Sequence, residues 1–331
     1  MRCGRRRLYD TRRTNTLPET MSTLLDTIAP IFALMALGFF AARLKIIEGP
    51  EVKGLVLFVF NFSIPALLLR SLARMDFPLD IEWGFLIAFY FGALITYGLA
   101  MAVGRFSFGR TTPEQAIFGM GGAFSNLVLM GIPITLTALG PGAALPMFLI
   151  VGFHSATFMP LTLALIQGGR GNGTSLARQV AGVFVEMVRN PIIVGVFLGL
   201  VLNLSGITIW GGVDRVLEFL GTAAVPCALF AMGASLADYP LAGDVRPAIV
   251  LSVLKLMVHP LLVWIIAVPI LGLEGVWVSV PVVMAAMPSG VNVYLFAARY
   301  DAAPGVAART VLLTSVFSML TLAIVLTLVG A

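Results

Sequence analysis

The chain has 331 residues, of which 59% are hydrophobic and 11% charged, whereas an ordinary soluble domain carries about 25% charged residues. Such a composition belongs in lipid and excludes soluble enzyme folds. The formal net charge of +5 owes its sign largely to a basic N-terminal run, so it implies no nucleic-acid partner.

With about 20 residues needed per crossing, ten apolar spans follow in chain order. The first five are Leu24–Ala42, Val52–Leu72, Gly84–Gly104, Gln115–Leu139 and Ala143–Gln167. The second five are Ala177–Leu202, Val216–Leu236, Val245–Leu271, Val276–Arg299 and Ala307–Val329. Each must be helical, because lipid offers no partner to backbone N–H and C=O groups. The predicted fold is therefore an all-α membrane protein.

Basic residues orient these spans. If the N-terminus lies outside, the odd-numbered loops carry ten (Arg43, Lys45, Lys53, Arg105, Arg110, Arg170, Arg178, Arg246, Arg299 and Arg309). The opposite loops carry three: Arg70, Arg74 and Arg215. That bias puts the odd loops in the cytoplasm and both ends of the ten-span unit outside. Residues 1–20, with six arginines, disagree. They are read as a disordered appendage or as sequence preceding a true start at Met21.

Prolines reveal an internal repeat. Pro30 and Pro65 are 35 residues apart, as are Pro191 and Pro226. Ser63-Ile64-Pro65-Ala66-Leu67-Leu68 runs parallel to Ala224-Val225-Pro226-Cys227-Ala228-Leu229, and Met75-Asp76-Phe77-Pro78 to Ala237-Asp238-Tyr239-Pro240. Residues 21–167 thus form one five-span unit and 177–331 a second. The glycine-rich stretch 168–176 is a cytoplasmic linker. An odd number of spans inserts the second copy upside down, a common architecture of secondary transporters.

The fourth span of each half is the most informative. Phe124-Ser125-Asn126-Leu127-Val128-Leu129-Met130-Gly131-Ile132-Pro133 and Ala286-Met287-Pro288-Ser289-Gly290-Val291-Asn292 both set asparagine, glycine and proline inside apolar sequence. Proline removes a donor and clashes with the preceding turn, while glycine tolerates unusual conformations. Pro133 and Pro288 are thus expected to interrupt their helices at mid-membrane. A half-helix N-terminus then presents free N–H groups and about half a positive charge to an anion. Carboxylate is the simplest candidate, with Asn126, Asn292, Ser125, Ser289, Gly131 and Gly290 as substrate-binding residues. The bland alternative is kinked helices joined by polar pairs.

Ionisable residues inside spans are costly and mark pathways. Lys255 and His259, four apart, share a helix face. Together with Arg189 and Asp26 they are candidates for coupling or charge compensation, although Lys255 can also snorkel. Glu186 is read as a partner of Arg189, Glu218 as a weaker coupling candidate, and His154 as a packing or hydrogen-bonding residue. Glycines at Gly119-Met120-Gly121-Gly122 and at Gly195 and Gly199 let helices approach closely. Cys3 and Cys227 make no disulfide framework, and two histidines without clustered ligands make no metal site. No cofactor is expected; H+ and Na+ are the candidate coupling ions, with transport driven by the membrane potential as the alternative.

The chain resembles the auxin efflux carrier family, in its prokaryotic branch of malonate and malate permease-like proteins. The resemblance covers Met21–Ala331 and rests on Asn126-Leu127-Val128-Leu129-Met130-Gly131-Ile132-Pro133, Arg189-Asn190-Pro191, Leu254-Lys255-Leu256 and Met287-Pro288-Ser289-Gly290-Val291-Asn292. It implies two inverted five-helix repeats whose broken fourth and ninth helices cross at Pro133 and Pro288. It also implies a scaffold of helices one, two, six and seven, often carrying a homodimer contact. Plant members have a long central loop. Only Gly168–Thr174 occupies that place here, which weakens auxin as substrate.

The implied function is a secondary active carrier of a small organic anion, a dicarboxylate such as malonate or malate, in the cytoplasmic membrane. An amphipathic or aromatic carboxylate of auxin type is the alternative. An enzyme or sensor is disfavoured. His154-Ser155 is the sole catalytic pair in sight, and neighbours in sequence do not face each other on a helix.

Overall fold

A computed structural model describes residues 19–75, 80–170, 189–237 and 243–330, with side chains in the first helix from residue 29. The basic tail before residue 19, the Asp26 side chain, Glu186, Arg178, most of the glycine-rich linker and the Pro78 and Pro240 strings lie outside the described residues. The fold is all-α. In chain order the helices are α1 (Glu19–Arg43), α2 (Gly49–Ala73), α3 (Gly84–Phe108), α4 (Thr112–Ala123), α5 (Leu127–Leu139) and α6 (Ala144–Gly169). After the linker come α7 (Pro191–Ser205), α8 (Gly211–Leu236), α9 (Arg246–Ile270), α10 (Val276–Ala286), α11 (Asn292–Arg299) and α12 (Pro304–Leu328).

Among the described residues, six helical stretches are long and apolar enough to cross a membrane. They are α2, α3, the stretch Pro141–Gly169 that contains α6, α8, α9 and α12. Shorter apolar helices include Leu127–Leu139, Pro191–Ser205 and Val276–Ala286. Large apolar side chains such as Phe40, Phe62, Phe91, Phe197, Phe219 and Leu320 point outward, as they must where the solvent is hydrocarbon. The protein is a multi-pass membrane protein.

Three prolines shape their helices in one way. α2, α5 and α9 each widen into a π-type turn, at Val59–Ser63, Leu127–Gly131 and Leu254–Val258. Each turn is followed two residues later by proline: Pro65, Pro133 and Pro260. The proline ring cannot donate to, and collides with, the carbonyl four residues back. A widened turn absorbs that conflict without ending the helix. Pro133 is therefore not a helix break: Ile132–Leu139 continues straight through it. The repeat prolines also differ locally, since Pro65 follows a π-turn whereas Pro226 lies inside continuous α8.

α1 packs along α8, and the second half of α2 along α7. The α2–α7 contact depends on small residues. A Cβ on Gly195 would lie 2.7 Å from the Pro65 carbonyl oxygen, and one on Gly199 2.7 Å from that of Leu69. Backbones this close gain packing that lipid cannot match. On the other side of the molecule α3 packs on α4 and α9, and α12 on α9 and α11.

The start of α4 carries a reciprocal cap. The Thr111 N–H and Oγ1 donate to Glu114 Oε2 at 3.0 and 2.9 Å, and Arg110 Nη1 donates to Oε1 at 3.1 Å. Partial burial pushes the Glu114 carboxyl up, but the hydrogen bonds from Thr111 and the Arg110 charge outweigh it and hold the group below its ordinary range.

Candidate functional site

The two fourth-span segments are interrupted, and the interruptions meet. α4 ends at Ala123, after which Phe124 is extended (φ −75°, ψ 107°). α10 ends at Ala286, and Met287 is extended (φ −60°, ψ 147°), the conformation a residue before proline prefers. The extended pieces pair antiparallel through Ser125 and Ser289. The Asn126 N–H donates to the Pro288 carbonyl at 2.8 Å, and the Gly290 N–H to the Phe124 carbonyl at 2.9 Å. Gly290 is required here, since a Cβ would lie 2.8 Å from the Phe124 ring.

Neighbouring helices satisfy what this pairing leaves. The Ser125 N–H donates to His154 Nε2 of α6, and the Ser289 N–H to Thr314 Oγ1 of α12, both at 3.0 Å. Backbone polar groups at membrane depth need such partners. The consequence corrects the sequence reading. Amides at the crossing itself are consumed, and in the first turn of α11 the Val293, Tyr294 and Leu295 N–H groups donate to the Gly290 and Val291 carbonyls. The free first-turn donors are those of Val128, Leu129 and Met130 in α5, where a helix start lacks intrahelical acceptors.

A cavity of about 330 Å³ opens against this crossing. Ser125, Asn126, Gly290 and Asn292 line it, as do Val128 and Leu129 from the first turn of α5 and Val291 beside that of α11. His154, Ser155 and Asn190 add polar groups that sequence reasoning had not assigned to the site. The remaining wall is apolar, including Val56, Phe60, Ile192 and Leu295, and among the described residues carries no charged side chain. The Asn126 amide is buried, and its Nδ2 lies 3.1 Å from Met232 Sδ of α8. Asn190 Oδ1 caps α7 by accepting from the Ile192 N–H at 3.0 Å, as an asparagine before a first-turn proline should. That Asn-Pro signal was the one available pointer to Asn190. A lone histidine in an apolar span gave none for His154.

The other sequence candidates are placed as follows. Arg189 is exposed and borders an adjoining opening that shares Val56, Phe60 and Asn190 with the cavity. Ser289 is fully buried, and its Oγ donates to the Gly121 carbonyl at 2.6 Å. Gly131 is buried beside Met284. Neither residue lines the cavity. Pro288 contributes its carbonyl to the crossing, whereas Pro133 stands seven residues beyond Asn126, past the π-turn. Lys255 and His259 are both completely buried. The lysine Nζ donates to the Ala285 carbonyl at 2.6 Å and lies 3.2 Å from His259 Nδ1. They sit behind the crossing rather than in the cavity.

Charge pairs gather elsewhere. Arg70 Nε lies 2.9 Å from Asp214 and Arg74 Nη2 2.7 Å from it, while Glu218 meets Arg70 and Arg215. Glu218 is thus engaged in ion pairs. This cluster borders a second cavity of about 700 Å³ between α2, α8 and the start of α6.

Comparison with known proteins places the chain among membrane transporters. The family model described as "Membrane transport protein" matches residues 23–326. A Rhizobium meliloti (strain 1021) protein named "Putative malonate transporter" is 29% identical over 308 residues, covering 91% of this chain and 94% of that one. An "Uncharacterized transporter" of Methanothermobacter thermautotrophicus is 26% identical, covering 90% and 95%. The "Lysosomal cholesterol signaling protein" of Mus musculus is 25% identical over 74% of this chain, and the match spans 30% of that longer protein. The chain is a transporter rather than an enzyme, and it belongs to the membrane transport protein family, which is the auxin efflux carrier family that its sequence resembles.

Proposed function

We propose that this protein is a secondary carrier that moves a small organic anion, such as malonate or malate, by alternating access, holding it at the crossing of the interrupted helices. The observation that carries the reading is the cavity against the Ser125–Ser289 pairing, lined by both asparagines and by the first turn of α5. Helix N-termini and carboxamide N–H groups are suited to a carboxylate. The similarity to a protein named as a malonate transporter favours that substrate class.

Ten spans in two inverted five-helix repeats fit the packing, because α1 with α8 and α2 with α7 are pairs that exchange under such a repeat. In this reading α1, α2, α7 and α8 are the scaffold, with a homodimer contact on its lipid-facing side. The remaining helices form the moving unit. The 330 Å³ cavity, which meets the early turns of α2 and α7, opens to the cytoplasm, and the 700 Å³ cavity marks the opposite face. Both ends of the chain lie outside.

Inward movement of a dianion against a negative interior is opposed by about 4–5 kcal/mol per 100 mV. Uptake therefore requires a co-transported cation, H+ or Na+, with Lys255, His259, Arg189 and Asp26 as candidates to handle charge. A second reading, an amphipathic or aromatic carboxylate, draws on the apolar wall of Val56, Phe60 and Leu295. Proteoliposomes test both. Labelled malonate should accumulate under an imposed proton or sodium gradient. No movement of any carboxylate under proton, sodium or potential gradients would end the carrier reading.

A further inference from the structure

Lys255 poses a physical problem that the carrier reading leaves open. Its Nζ is completely buried, and its two partners are the Ala285 carbonyl and His259 Nδ1. The helices packed against α9 are α3, α4, α10 and α12. On them the titratable or charged groups are Tyr90, Tyr97, Arg105, Glu114 and Arg309. Tyr90 and Tyr97 hydroxyls are committed to the Ile150 and Ala116 carbonyls. Arg105 stands in the last turn of α3, and Arg309 near the start of α12. Glu114, the one carboxylate of the set, is held by Thr111 and Arg110 at the end of α4. His154 of α6 also lies within electrostatic reach of Lys255. Among the described residues, no carboxylate faces the amine.

The pair accommodates two protonation states with its heavy atoms in place. A neutral amine donates to the Ala285 carbonyl and accepts the His259 Nδ1–H. An ammonium donates to both partners once the imidazole proton stands on Nε2, an atom that is buried and has no partner among the described residues. The states differ by one added proton, on the Lys255 lone pair, and by the tautomer of His259. Among the described residues, the partial negative charge of the α10 C-terminus, where Ala285 stands, is what favours the ammonium internally. A carboxylate at the crossing supplies the missing counter-charge. Ala285 precedes by three residues the Pro288 carbonyl that accepts from Asn126, a residue lining the cavity.

We propose that the Lys255–His259 pair is a proton-binding site linked to the anion at the crossing, so that one proton travels with each anion and sodium is not required. The inference rests on the carrier reading and adds the identity of the coupling ion and its site. Binding is reciprocal: an anion that favours the ammonium is itself bound more tightly when the ammonium is present.

Calorimetric titration of the purified full chain with malonate, in buffers of different ionisation enthalpy, tests this at about pH 7 to 9, above the ordinary carboxylate range. The wild type should take up about one proton per malonate, and where the pair titrates its affinity should fall about tenfold per pH unit. Replacing sodium with N-methylglucamine should change nothing. Lys255→Gln, which keeps a donor for Ala285, should bind with no proton uptake. Lys255→Arg, permanently charged, should bind independently of pH and serves if the glutamine variant does not fold. Sodium-dependent binding, wild-type binding without proton uptake, or unchanged uptake in both variants would overturn the linkage while leaving a carrier. Failure of the wild type to bind any carboxylate tested would overturn both.

Discussion

The two interruptions are built from similar strings, yet they occupy different surroundings. In the first, Ser125 and Asn126 line the cavity, and the backbone is tied to a titratable side chain through Ser125 N–H and His154. In the second, Ser289 is buried away from the cavity, its hydroxyl donates to the Gly121 carbonyl, and its N–H is tied to the hydroxyl of Thr314. Only Gly290 and the residues after it reach the cavity. One break thus serves cavity and backbone together, while half of the other is structural. Similar strings in the two spans predict where the chain breaks, and the surrounding helices decide which residues face the cavity.

That asymmetry can be sharpened by removing the acceptor on each side. Thr314→Val strands a buried N–H and should cost about 1–3 kcal/mol of stability, visible as a lowered melting temperature, with malonate affinity nearly unchanged. His154→Phe should cost a similar amount and also weaken binding, because His154 lines the cavity. Equal effects of both variants on affinity would erase the distinction between the breaks. A smaller effect is expected at the far end of the first broken helix. Glu114→Gln loses part of the α4 cap, worth about 0.5–2 kcal/mol. The folded-state carboxyl of Glu114 is held low, so its contribution is fully present above the unfolded value and is lost as pH falls through the folded one. Melting temperatures of wild type and variant should therefore converge in acid.

Much of this was legible in the sequence. Composition showed a membrane fold, and asparagine, glycine and proline inside the fourth and ninth predicted spans marked both interruptions. The close approach expected of glycines recurs where Gly195 and Gly199 meet α2. What could not be read was direction and partnership. Ser125 and Ser289 look equivalent as letters, and only the packing of α6 and α12 assigns them different partners. Pro133 looked like a breaker because a sequence does not show whether a helix can widen into a π-turn. The pairing of the breaks joins residues more than 160 positions apart, beyond any local signal.

The central claim is that the asparagines of both interruptions hold one anion. Malonate binding to Asn126→Ala/Asn292→Ala tests it most directly, with the melting temperature as a check on folding. The account predicts a folded protein whose affinity is lower by at least about tenfold, the equivalent of roughly 1.4 kcal/mol. A folded double variant that binds malonate as tightly as the wild type would contradict it.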